Sequence, residues 1–120
     1  TEPRLVAAAR GRRRGAFVFW WTMLNAEIGL LFSRSGDYRL IAEACRAGAL
    51  RAVAEINADP SHGIALVPVE RDPGGDVDAY APLCQEILAS SGARHIVGCV
   101  TSWSRKEVIP VLERWSGFLW

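Results

Sequence analysis

The stretch HIVGCVTSWSRKEVIPVLERW, His95 to Trp115, joins two kinds of pattern. His95 to Gly98 is short, apolar and partly β-branched, as a buried strand is. Ser104 to Trp115 predicts a helix. Between them lie small hydroxylated residues, followed by the cation pair Arg105-Lys106. A strand that passes into a helix through Thr and Ser is how many α/β proteins build a cup for a small polar ligand. It is also how ordinary helices are capped, so the stretch by itself admits both readings.

Working outward, the preceding segment Val77 to Ser90 predicts a helix, because Tyr80, Leu83, Cys84, Ile87 and Leu88 recur at helical spacing and Ser91-Gly92 ends it. Before it, DPGGD (Asp72 to Asp76) reads as a turn that can also cap that helix. Ile64 to Val69 predicts a strand, and Pro68 within it suits an exposed end or an edge. Asn57 to Gly63 is a turn cluster. Tyr38 to Asn57 predicts an amphipathic helix with Ile41, Ala44, Cys45, Gly48, Ala52 and Ile56 on its inner face and Arg39, Glu43, Arg46, Arg51 and Glu55 outside. Gly48 costs about 1 kcal/mol of helix propensity, a cost expected to be offset by close packing on a sheet. Ile28 to Phe32 predicts a strand ending in Ser33-Arg34-Ser35-Gly36-Asp37, and Phe118 to Trp120 opens a further strand. The order β-α-β-α-β-α-β with short connections predicts an α/β fold: a Rossmann-like parallel sheet with flanking helices.

Composition bounds the function. The 120 residues suit a single core, half of them are apolar, and the net charge is +1. Residues 1–26 hold five Arg against one Glu, which leaves the remainder three units acidic. Direct nucleic-acid binding is therefore not expected of the folded body. Cys45, Cys84 and Cys99 are odd in number and widely spaced, so they predict buried thiols rather than a metal cage or disulfide framework. Arg10 and Arg12 to Arg14, the apolar block Ala16 to Leu24 and then Asn25-Ala26 have the layout of a secretory signal, so 1–26 reads as a signal-like or extraneous segment and 27–120 as the folded part. The apolar run Gly117 to Trp120 reads as a strand whose continuation lies outside the chain, making 27–120 the first part of a larger lobe.

Ligands of open parallel sheets bind beyond the carboxyl ends of the strands. Three loops fall there: Ser33 to Asp37, Asp72 to Asp76, and Val100 to Ser104. In the last, Ser104 is expected to cap the third helix, and the free N–H groups of its first turn share a space with the Thr101 and Ser102 hydroxyls. A carbonyl, carboxylate or amide oxygen would be held there without a catalytic group. Lys106 and Glu107 read as solvated residues, and Pro110 is expected to remove one backbone hydrogen bond. No nucleophile elbow, phosphate loop or dinucleotide fingerprint is present. Asp72, Asp76 and Asp78 suit a helix N-terminus better than a cation site. No enzyme activity, cofactor or metal is expected.

IGLLFSRSGDY (28–38), GALRAVAEIN (48–57), RDPGGDVDAYAPLC (71–84) and VGCVTSWSRKEVIPVLER (97–114) together resemble the type I periplasmic-binding-protein fold, and within it the short-chain amide and urea binders. The resemblance implies an incomplete N-terminal lobe of a two-lobed, hinged protein that closes on a small polar ligand. It implies that Ser102 contacts the ligand, with Val100, Thr101, Trp103 and Ser104 in the same loop. Val100 departs from the aromatic residue of the amide and urea binders: either Trp103 compensates or the ligand differs. A further Tyr-Pro-containing ligand loop is expected beyond Trp120. The implied function is a periplasmic substrate-binding protein for a short amide, urea or amino-acid-like compound, with the membrane subunits of an ABC importer as partners. Its alternative is a cytoplasmic amide sensor that restrains an antitermination regulator of an amidase operon. A sensory domain of a larger signalling protein is a third reading, and the family admits a homodimer.

Overall fold

The computed structural model describes residues 24–120. Residues 1–23, which hold most of the signal-like segment, lie outside the described residues. Four parallel strands form one sheet in the order β2-β1-β3-β4: β1 is Leu24–Leu31, β2 Ile64–Arg71, β3 His95–Gly98 and β4 Phe118–Leu119. Helices α1 (Arg39–Ala58), α2 (Tyr80–Ser90) and α3 (Ser102–Trp115) connect them in turn. The α/β fold read from the alternation is therefore borne out.

β1 starts earlier than its apolar run predicts: Leu24, Asn25 and Ala26 pair with Ile64, Ala65 and Leu66, so the strand takes in the last residues of the signal-like segment. β2 is an edge strand, which explains how Pro68 is tolerated. Part of that edge is satisfied locally, because the Asn57 side chain donates to the Leu66 carbonyl at 2.9 Å and accepts from the Leu66 N–H at 2.7 Å. Asn57 thereby stands in for a few atoms of a neighbouring strand.

The strand order reverses after β2, so with right-handed crossovers α1 lies on one face of the sheet and α2 and α3 on the other. Adjacent residues of β1 divide accordingly. Leu31 joins the main core with Cys84, Ile87 and Leu88 of α2, Ile96 of β3 and Val108, Val111 and Leu112 of α3, whereas Leu30 is buried outside that cluster. The helical positions read for α2 hold: Tyr80, Cys84, Ile87 and Leu88 are buried. Its start moves to Tyr80, because Val77–Ala79 forms a 3-10 turn capped by Asp76, whose Oδ1 accepts from the Asp78 N–H at 3.0 Å.

The face of α1 is a correction. The buried residues are Ala42 and Val53, with Arg46, Ala49, Leu50 and Ile56 half-buried, while Ile41, Ala44, Cys45, Gly48 and Ala52 are exposed. Observed and expected faces differ by one residue, about 100° of rotation. Arg46 is half-buried, and its guanidinium makes a two-pronged contact with Glu70 of β2, at 2.7 and 3.2 Å. Gly48 accordingly does not pack on the sheet, since a Cβ there would meet nothing within 4 Å. Of the cysteines expected inside, Cys84 and Cys99 are buried and Cys45 is exposed.

Candidate functional site

Beyond the carboxyl ends of β1, β2 and β3, three loops converge on a cavity of about 150 Å³. It lies where the strand order reverses, between neighbouring β1 and β3. The β1–α1 loop supplies Ser33, Ser35, Asp37 and Tyr38; the β2–α2 connection supplies Gly75 and Val77. The β3–α3 loop supplies Val100 and Thr101, the first turn of α3 supplies Trp103, and Ala42 and Tyr80 complete the wall.

Backbone conformation brings the loops together. Gly36 and Gly75 have φ of 95° and 76°, and a Cβ on either would lie 2.9 Å from the other's Cα. No side chain fits between these two turns. Asp72 strengthens the junction, its Oδ1 accepting from the Arg34 N–H at 3.0 Å and from the Gly74 N–H at 2.8 Å. At the end of β3, Cys99 has φ 59°, a left-handed conformation that costs a non-glycine residue on the order of 1–3 kcal/mol. Its N–H donates to the Leu31 carbonyl at 3.1 Å, which holds the chain where it leaves the sheet for the hydroxyl loop.

Hydroxyl contacts then join the walls. The Ser33 hydroxyl and the Tyr80 phenol are 2.7 Å apart, and the Gly75 N–H donates to Ser33 Oγ at 3.0 Å. One serine thus ties β1, the DPGGD turn and α2. Burial raises the Tyr80 phenol above its usual range, against the opposing effect of its contacts with Ser33 and Ser104, so it remains a neutral hydrogen-bonding group. Burial likewise pushes the Cys84 thiol to about 11 and the Cys99 thiol to about 12. Neither is a thiolate at neutral pH, and both are poor nucleophiles.

The cap of α3 differs from expectation. Thr101 is the N-cap, its Oγ1 accepting from the Ser104 N–H at 3.4 Å, while the Ser104 hydroxyl donates to the Thr101 carbonyl at 2.8 Å. Ser104 is three residues inside the turn and fully buried, so its hydroxyl braces the cap. Ser102 is exposed at the first position of α3, between two residues that line the cavity without lining it itself. Val100, Thr101 and Trp103 line it directly. Lys106 and Glu107 are exposed, as expected. The loop Ser33 to Asp37, expected at this end of the sheet, supplies Ser33, Ser35 and Asp37, whereas Tyr38 and Tyr80 lie outside the loops that the sequence singles out. A tyrosine on the buried stripe of α2 was the available signal, because a buried phenol needs a partner.

A model of the periplasmic binding protein domain matches residues 26–120, nearly the whole described chain. The chain belongs to the periplasmic binding protein domain family. Solved structures agree on the fold. The branched-chain amino acid transporter substrate binding protein LivJ from Streptococcus pneumoniae, in complex with isoleucine, superposes with a TM-score of 0.74 at 24% identity over 80% of this chain. A possible leucine/isoleucine/valine-binding protein from Rhodopirellula baltica gives 0.71 at 20% identity over 80% of the chain, and an ABC transporter from Rhodopseudomonas palustris gives 0.68 at 21% over 78%. This periplasmic binding protein domain spans 28%, 26% and 28% of those chains, respectively. These neighbours are described as branched-chain amino acid binding proteins or as a transporter, so the narrower amide- and urea-binding branch gains no support from them.

Proposed function

We propose that residues 24–120 contribute the ligand-facing part of one lobe of a solute receptor that captures a small polar molecule and delivers it to the membrane subunits of an ABC importer. The molecule is of the amino-acid or short-amide class, and the receptor works in the periplasm without catalysis. The observation that carries this reading is the cavity itself: three loops beyond the carboxyl ends of parallel strands, fixed by Gly36, Gly75 and Ser33, open to one side. A half-site of this kind suits closure by a second lobe, with the closed form recognised by the importer. The structural neighbours support it, since one is a transporter substrate binding protein with an amino acid bound. The amide-sensor alternative gains nothing from these neighbours.

Thermal unfolding of the full-length gene product tests the reading with amino acids, short amides and urea as probes. A ligand present at about a hundred times its Kd stabilises the folded state by about 2.7 kcal/mol and raises Tm clearly. At least one probe is expected to do so and to be recovered unchanged. No stabilisation by any probe, or steady conversion of a probe to product, would contradict the reading.

A further inference from the structure

The inside of the cavity is largely self-satisfied. Ser33, Tyr80 and the Gly75 N–H bond one another, and Thr101 Oγ1 is engaged with Ser104. The mouth differs. Asp37 is the only charged side chain lining the cavity among the described residues, and it forms no salt bridge with a described residue. Arg34 and Arg39 flank it closely in sequence, yet neither lines the cavity. Beside Asp37, Tyr38 and Trp103 are each 48% exposed, and their rings meet edge to face, with centroids 5.4 Å apart and planes inclined at 65°. One ring comes from the end of the β1–α1 loop and the other from the first turn of α3, so they form adjoining walls of a corner in a cavity that the Asp37 carboxylate also lines. Aromatic faces attract cations through their quadrupole, and a carboxylate adds a charge-assisted hydrogen bond. An anionic group at this corner would meet a carboxylate and no lining cation.

We infer that Asp37, Tyr38 and Trp103 form an ammonium-binding corner, and that the ligand is therefore an amino compound rather than a neutral amide or urea. The inference rests on the receptor reading above and narrows it. Asp37 accepts hydrogen bonds from the ammonium, and the two rings cover its remaining faces as the second lobe closes. Neutral amides gain much less there, because they carry no full charge for either the carboxylate or the rings.

Calorimetry on the full-length product tests the corner. The tightest-binding standard amino acid is compared with the same molecule lacking its amino group, and with acetamide and urea. The deaminated analogue is expected to bind at least about tenfold more weakly. Asp37→Asn should weaken the amino acid by about tenfold or more while changing the deaminated analogue by less than about twofold. Trp103→Ala should weaken the amino acid by about threefold to thirtyfold. Equal binding of the two analogues, or unchanged amino-acid affinity in Asp37→Asn, would overturn the inference. If only acetamide or urea bind, the ammonium corner fails while the receptor reading stands. Silence from every probe would sink both.

Discussion

Tyr80 shows how a single side chain serves both core and site. Its ring fills the α2 stripe that packs on the sheet, and its hydroxyl reaches Ser33 below the cavity. Removing that hydroxyl leaves the Ser33 hydroxyl short of one buried partner. Tyr80→Phe is expected to cost about 1–2 kcal/mol, read as a lowered urea midpoint of the full-length product at unchanged m-value. An unchanged midpoint would mean that the contact contributes nothing. The sequence revealed Tyr80 only as an apolar stripe position, because period alone reports which face a residue takes and not what its polar tip can reach. Ser104 failed for a related reason. Two hydroxyls three residues apart each satisfy a cap pattern, and only the backbone conformation of Thr101, extended at φ −103° and ψ 149°, makes it the cap.

At the scale of elements, β3, α2 and the succession of connections were legible, whereas the face of α1 was not. Its small residues are spread around the helix, so several apolar stripes compete. The observed face is set by tertiary packing, with Ala42 and Val53 buried and Arg46 reaching Glu70 of β2, none of which a local period contains. Gly48 then sits on the exposed side with open space around it. Gly48→Ala is accordingly expected to stabilise the protein by about 1 kcal/mol, seen as a higher urea midpoint, by lowering the entropy of the unfolded chain and improving helix propensity. A loss of stability there would indicate that the helix packs as the sequence pattern first suggested.

For the whole molecule, alternation of short strands and helices was enough to give a parallel sheet, since each parallel return requires a crossover. The site was half legible. The loop Val100 to Ser104 announced itself by its hydroxyls between strand and helix, but the Ser33 to Tyr38 loop became its partner only through the order β2-β1-β3-β4, which sets β1 beside β3. Strand order is a property of the assembled sheet, and Tyr38 and Trp103 meet across more than sixty intervening residues because of it. The central claim is that these two loops face one ligand. Backbone amide shifts of the isotopically labelled full-length product, followed during titration with its tightest-binding amino acid, test this most directly. The largest changes among residues 24–120 should fall on Ser33 to Tyr38 and Val100 to Trp103 together. Changes confined to the opposite end of the sheet, around Leu24, Gly63 and His95, would contradict it.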